Sequence, residues 1–326
     1  MKLLVLTNNP DRPSFRQRIE VYLDTLKSHG INCEIIKLTR GRLSRFRLFK
    51  RSAEFDAVYL HKKCLNFIDT FLLRRYSKKI IYDFDDAVMY SPHQPESNGT
   101  SHFRLFRRTI KMADMAIAGN SYLAEHAKRF NDNVHILPTG LDTKAYRIPT
   151  EPKQDDKIRL VWIGSKSTLK YIEAIKPALE EIGKKLPNVI LRIICDEFFD
   201  LENMEVEKRR WSIETQLTDL VTSDIGLAPL PSNRFTKGKC GFKVLQYAAA
   251  GLPVVASPVG VNAELIENKL TGFHAKELDE WSEGIETLAQ NPELRKQMGE
   301  KGREIAKNYD MAVIGKKLTD LILSRT

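Results

Sequence analysis

The chain has 326 residues, 42% of them hydrophobic and 29% charged, enough for about two domains that each bury a core. Its formal net charge of +10 is unevenly spread: residues 1–150 hold 26 Lys and Arg against 15 Asp and Glu, net +11, leaving 26 against 27, net −1. Such asymmetry points to an anionic partner on the first half, and four scattered cysteines without metal-ligand spacing separately argue against a structural zinc or a disulfide framework.

The opening MKLLVLTNNP has too short an apolar run for a signal peptide and reads as a first strand. No later segment approaches the roughly 18 apolar residues of a spanning helix, so a cytoplasmic location is expected. SFRQRIEVYLDTLKSHG has the pattern of one amphipathic helix and INCEIIKL that of a second strand, a β-α-β start. The turn between them lacks G-x-G-x-x-G, so a bound pyrophosphate is not expected there. Arg16 and Arg18 stand near the carboxyl edge of the first strand, where arginines contact anionic acceptors or simply decorate a helix.

Residues 39–51, TRGRLSRFRLFKR, interleave basic with apolar and aromatic side chains, a composition suited to lipid headgroups. RRYSKK at 74–79 and FRLFRRTIK at 103–111 extend the theme, and a peripheral position on the inner face of a membrane is the favoured expectation. Nucleic acid is disfavoured because no recognised nucleic-acid module accompanies the charge. AVYLH and KIIYDF are further strands, the latter running into DFDDA. Carboxylates Asp83, Asp85 and Asp86 therefore gather at a strand's carboxyl end, with alternation placing Asp83 and Asp85 on one face and Asp86 on the other. Asn120 follows the strand of DMAIAGNS and is placed to cap the helix SYLAEHAKRF. NVHILPTGLD is read as the last strand of the first domain.

A first domain over 1–148, a proline-containing linker over 149–157, a second domain over 158–307 and a closing helix over 308–326 are expected. In the second domain, IRLVWIG ends in a tight turn whose Gly164, Ser165 and Lys166 suit phosphate contact. Glu197, after the strand VILRIIC, stands where a ribose or base would be met. The key stretch is Lys237–Gly260, KGKCGFKVLQYAAAGLPVVASPVG. Gly238 and Gly241 permit close backbone approach, and the helix starting near Phe242 offers unpaired N–H groups to an anion. Lys237 and Lys239 flank the turn. Lys243, Gln246, Tyr247 and Ala250 recur at helical spacing and should form one face beside it. Cys240 lies in the same loop with no histidine near it in sequence to activate a thiolate.

DIGLAPLP, KGKCGFKVLQYAAAGLPVVASPVGVNAELI and TGFHA, with weaker support from FRQRI, IIYDFDDAV and PTGLD, resemble glycosyltransferase family 4 enzymes. The resemblance implies an α/β architecture of the GT-B type: two Rossmann-like, doubly wound domains facing across a cleft, with the last helix returning to the first. It also implies transfer from a nucleotide-diphosphate sugar with retention, without a cofactor or bound metal. The donor falls to the second domain and a glycan or lipid-linked acceptor to the first, where Arg16, Arg18 and Asn120 are the acceptor candidates. Lys243 with Lys166, Lys237 or Lys239 becomes the diphosphate clamp, with Lys166, Asp85 and Asp86 as its partners in catalysis. Gly164, Ser165, Lys237, Gly238, Lys239, Cys240, Gly241, Phe242, Gln246 and Glu197 line the donor. Family members carry a glutamate, seven residues and a second glutamate where this chain has Gly238 and Gln246, and often His-Asp where it has Asp85-Asp86. Those departures keep a non-catalytic nucleotide-sugar-binding protein as the alternative, and the shared architecture also admits a nucleotide-sugar epimerase.

Overall fold

The computed structural model describes residues 1–97, 100–149 and 155–324, so most of the linker expected over 149–157 lies outside the described residues. The chain divides into two compact units.

The first unit alternates strands and helices: β1 (Lys2–Thr7), α1 (Pro13–Arg18), α2 (Leu23–Ser28), β2 (Asn32–Lys37), α3 (Arg42–Arg51), β3 (Ala57–His61), α4 (Phe67–Tyr76), β4 (Ile80–Phe84), α5 (Ser101–Met112), β5 (Met115–Ala118), α6 (Ser121–Lys128) and β6 (Val134–Ile136). The strands form one parallel sheet in the order β2-β1-β3-β4-β5-β6. β3 and β4 are buried at every position, as expected for strands covered on both faces. The single helix expected over 14–30 is broken: Ile19, with φ −133° and ψ −57°, separates α1 from a short 3₁₀ turn before α2.

The second unit contains β7 (Ile158–Ile163), α7 (Lys166–Glu173), α8 (Lys176–Lys185), β8 (Val189–Cys195), β9 (Val206–Arg210), α9 (Gln216–Val221), β10 (Ile225–Ala228), α10 (Phe242–Ala249), β11 (Val254–Ala256), α11 (Val261–Leu265), β12 (Gly272–His274), α12 (Leu278–Gln290) and α13 (Pro292–Lys307). Its parallel sheet runs β12-β11-β10-β7-β8-β9. β9, VEKRR, is absent from the sequence-based expectation: it is a charged, largely exposed edge strand, and such edges lack the apolar run that marks a buried one.

Unit boundaries depart from the sequence-based ones in two places, at Gly140 and at Asn233–Cys240. The first unit's opening stretch closes at Gly140 rather than residue 148. Leu141 and Tyr146 are buried in a core cluster of the second unit, and Leu141 N–H donates to the Tyr309 carbonyl at 3.0 Å. The last helix, α14 (Met311–Leu323), packs on α2, with Ile314, Leu318 and Ile322 in the first unit's core. Residues Asn233–Cys240 also belong to the first unit, although they sit between β10 and α10 in the chain.

In each sheet the order reverses once, between β1 and β3 in the first unit and between β7 and β10 in the second. Doubly wound sheets place their ligands at the carboxyl ends of the strands beside such reversals.

Candidate functional site

At the reversal of the first sheet, the strand ends bring together Thr7, His61 and the DFDDA carboxylates. His61 Nδ1 lies 3.2 Å from Thr7 Oγ1, and its Nε2 lies 3.3 Å from Ser14 Oγ. Ser14 donates to Asp85 Oδ1 at 3.1 Å. Lys62, the residue after β3, bridges Asp85 Oδ1 at 3.0 Å and Asp86 Oδ2 at 2.5 Å. Its backbone adopts φ 59°, rare for a residue with a side chain, and this turn brings the ammonium to the two carboxylates. Asp86 is also 3.6 Å from Lys239 Nζ.

Strand alternation does not extend to Asp85 and Asp86, because β4 ends at Phe84. Beyond the strand, Asp85 and Asp86 converge on Lys62, while Asp83 points inward to a different partner. That partner is Arg18, which is 2% exposed and therefore not an acceptor contact at the surface. Arg18 donates to both Asp83 oxygens and, at 2.6 Å, to the Leu137 carbonyl, so the guanidinium is held in the interior. Arg16 is only partly buried.

Electrostatics follow from this packing. Burial alone would push the Asp85 carboxyl up, but Lys62, Arg18 and His61 outweigh it and hold it well below the usual carboxylate range. Burial would likewise depress Lys62; Asp85 and Asp86 outweigh it and keep the ammonium charged. For His61 burial wins over the pull of Asp83 and Asp85, and its pKa is lowered toward the neutral imidazole. Lys62, His61 and Ser14 were not expected from the sequence; His61 closes β3 and Lys62 follows it, a strand's carboxyl end that could have marked them, whereas Ser14, in α1, carried no such signal.

Asn120 caps α6, accepting from Leu123 N–H at 2.9 Å, and its amide donates to the carbonyls of Gly238 at 3.2 Å and Lys239 at 3.3 Å. Gly238 is buried against Ala87, where a Cβ would come within 2.7 Å of Ala87 Cβ and 2.9 Å of its backbone nitrogen. A side chain at this position, such as the glutamate of the enzymes the stretch resembles, has no room beside Ala87. Lys239 places its ammonium over the Phe235 ring at 4.8 Å from the centroid, while Lys237 is exposed and Cys240 partly buried.

In the second unit the reversal lies at Gly164. Ser165 and Thr168 form a reciprocal capping box that opens α7. Lys166 and Glu197, expected to meet phosphate and ribose separately, form an exposed ion pair with each other. Gly241 adopts φ 65° and ψ 18°, a left-handed turn suited to glycine, and α10 begins at the next residue, Phe242. Lys243, in the first turn, sits with Nζ 5.5 Å from the centroid of the Trp162 ring.

The single polar face expected on α10 is not observed. Gln246 is 6% exposed and hydrogen-bonded to Tyr146, whose phenol burial pushes up to about 12. Tyr247 is fully buried: Ile163 N–H donates to its hydroxyl at 3.1 Å, and that hydroxyl donates to the Leu227 carbonyl at 3.2 Å. Tyr247 therefore ties β7 to β10 at the sheet's reversal instead of presenting a phenol to a ligand. Among the described residues, no group of three or more His, Cys, Asp or Glu side chains is arranged to hold a metal ion.

The two parallel six-stranded sheets with their helices have the GT-B fold of glycosyltransferases. Residues 146–305, nearly all of the second unit's sheet and helices, match the family model described as glycosyl transferases group 1. HepE of Anabaena, solved with UDP and glucose, is similar over 99% of both chains at a TM-score of 0.73 and 16% identity. WaaG, a glycosyltransferase involved in lipopolysaccharide biosynthesis, is similar over 99% of this chain and 100% of its own, with a TM-score of 0.72 and 16% identity. Sucrose-phosphate synthase of Thermosynechococcus elongatus is similar over 98% of both chains, with a TM-score of 0.76 and 13% identity. No curated protein is a significant sequence match.

Proposed function

We propose that this protein is a glycosyltransferase that moves a sugar from a nucleotide-diphosphate donor to a glycan or lipid-linked acceptor, with retention at the anomeric carbon. The observation that carries this reading is the turn at Gly241, whose left-handed backbone opens α10 with Lys243 in the first turn, inside a stretch matching group 1 glycosyl transferases. Such a helix start offers backbone N–H groups and a cation to a diphosphate. UDP and UDP-glucose bound to HepE support a nucleotide-sugar as the ligand class.

The bond between the anomeric carbon and the diphosphate breaks while a new bond forms to the acceptor oxygen on the same face, and the departing phosphate oxygen takes the acceptor proton. Negative charge grows on the diphosphate, where Lys243 and the amides of Gly241 and Phe242 meet it; Gly164 and Ser165 serve the same anion, and Lys166 does so by exchanging its exposed pair with Glu197 for the phosphate. No metal is needed for this step. In the first unit, Asp86 is the more open of the two carboxylates bridged by Lys62 and is assigned to a sugar or acceptor hydroxyl; Asp85 positions it through Lys62.

The acceptor is a lipid-linked or anionic precursor of a cell-surface polysaccharide, met at the cytoplasmic face of an anionic membrane. The basic excess of the first half supports this placement, and WaaG acts in lipopolysaccharide biosynthesis. No helix among the described residues is long and apolar enough to cross a membrane.

A panel of uridine, adenosine and guanosine diphosphate sugars in thermal unfolding tests the reading, since a ligand at a hundredfold its Kd stabilises the native state by about 2.7 kcal/mol. One class of donor should raise the melting temperature, and that donor with a membrane extract should release nucleoside diphosphate. Stabilisation without transfer to any acceptor would make the chain a nucleotide-sugar-binding protein; no stabilisation by any donor would remove the reading.

A further inference from the structure

Five large apolar side chains stand in solvent on two helices of the first unit. On α4, Phe67 is 70% exposed, Ile68 58% and Phe71 61%; their positions at i, i+1 and i+4 put them on one face. The opposite face of α4 is already used, with Leu73 in the core and Asp69 buried against Arg45 of α3. α3 packs beside α4 and adds Leu43 and Phe46, the latter meeting Tyr76 edge-on at 6.2 Å between centroids. Every exposed phenylalanine among the described residues lies in this patch. The neighbouring core is closed without them by Leu48, Phe49, Leu65 and Leu73. Large apolar side chains that a closed core leaves in solvent and that gather in one place mark an interaction surface.

The charge on the helices of the patch is almost all of one sign, although Arg51 and Arg74 pair with Glu34, Glu54 and Asp114 outside them. α3, α4 and α5 together carry eleven Lys and Arg and one acidic residue, Asp69, which is turned inward onto Arg45. Arg108 of α5 stands over the Phe67 ring at 5.8 Å, and Arg42, Arg47, Lys50, Arg104 and Arg107 are exposed. A second copy offering the same face would be repelled by this charge. An anionic bilayer satisfies both features, since aromatic and aliphatic side chains enter the boundary between headgroups and acyl chains while guanidinium groups pair with lipid phosphates.

We propose that the α3–α4 face is a membrane-docking surface, with Phe67, Ile68 and Phe71 of α4 inserted into an anionic bilayer and the basic side chains of α3 and α5 on its phosphates. This rests on the membrane placement given under the proposed function and replaces attraction of a basic helix by insertion of an apolar ridge on its neighbour. α3 alone is a poor inserting element because Leu48 and Phe49 are buried inward.

Co-sedimentation of the full chain with phosphatidylcholine vesicles, with and without phosphatidylglycerol, at low and high salt, tests the surface. The wild type should pellet with anionic vesicles and bind neutral ones far more weakly. Phe67→Ser with Phe71→Ser should reduce that binding about tenfold or more at either salt, as expected for losing two buried rings. Arg42→Gln, Arg47→Gln and Lys50→Gln combined should weaken it mainly at low salt, where the charges are least screened. Leu278→Ser, at an exposed apolar position of the second unit, should leave it unchanged. If the wild type ignores anionic vesicles, both the surface and the membrane placement are overturned. Serine variants that bind as the wild type does, while the glutamine variant does not, would overturn insertion and leave only surface attraction. A concentration-dependent dimer abolished by the serine changes, with vesicle binding intact, would assign the patch to a second copy and sink the proposal. Donor binding is read separately by thermal shift and does not depend on these outcomes.

Discussion

Asn120 joins two elements through one side chain: its oxygen accepts from Leu123 N–H at the start of α6, and its amide donates to the carbonyls of Gly238 and Lys239. A residue recognisable as a helix cap is thereby also the anchor of a loop 118 positions away. Asn120→Asp keeps the cap but sets a carboxylate against two carbonyl oxygens, and should lower stability by about 1–3 kcal/mol. Asn120→Ala loses the cap as well. Melting curves that leave Asn120→Asp level with the wild type would show that these bonds do not hold the loop.

Gly238 has no room for a side chain. Gly238→Ala should cost about 1–3 kcal/mol through overpacking against Ala87 and Leu123, and Ala87→Gly in the same chain should recover part of it. Gly238→Glu, a larger side chain in the same closed space, should be worse than alanine in both stability and turnover. Denaturant unfolding of the three variants ranks them directly, and a neutral Gly238→Ala would contradict the observed packing.

Lys243→Ala should reduce turnover roughly a hundredfold or more, the usual effect of removing a preorganised donor to developing charge. Because the side chain is only partly buried, the melting temperature of the unliganded protein should move little. Steady-state release of nucleoside diphosphate measures the effect, and wild-type turnover in a folded variant would remove Lys243 from the diphosphate site.

His61 makes stability depend on pH. Burial lowers its pKa in the folded chain, so the unfolded chain binds more protons between the folded value and the unfolded value of about 6.5. Stability from this group is present above pH about 6.5 and is lost as the pH falls through that window. His126 is lowered by burial in the same direction and adds to the slope. His61→Gln with His126→Gln should flatten the loss of melting temperature on acidification; an unchanged slope would place the dependence elsewhere.

Arg18 and Arg16 should behave oppositely. Arg18→Ala leaves Asp83 as a buried, unpaired carboxylate and should cost about 3–5 kcal/mol, whereas Arg16→Ala, at a partly exposed position, should cost under about 1 kcal/mol. Equal destabilisation in urea unfolding would refute the interior assignment of Arg18.

Much of the architecture is legible in residue order because buried parallel strands must be short apolar runs, and AVYLH, VILRIIC and VVA are such runs. Gly241 and the start of α10 are legible for a similar reason, since a left-handed turn favours glycine and the apolar spacing after it is helical. The site's polar side chains are less so. Gln246 and Tyr247 share helical spacing with Lys243, but spacing defines a face without saying which side is buried, and both turn inward. Arg16 and Arg18 are indistinguishable by composition; only the sheet brings Asp83 beneath one of them.

Legible in residue order alone are the two α/β halves, every strand but the charged edge strand β9, the turns at Gly164 and Gly241, and the basic excess of the first half. These depend on local periodicity, glycine conformation and charge counts, which neighbouring residues set among themselves. Tertiary structure alone decided that Lys62 bridges Asp85 and Asp86, that Asn233–Cys240 belong with the first unit, and that Phe67, Ile68 and Phe71 stay in solvent. Each of those depends on what lies across the sheet or beneath the helix. Apolar residues at helical spacing look the same whether a core covers them or water does.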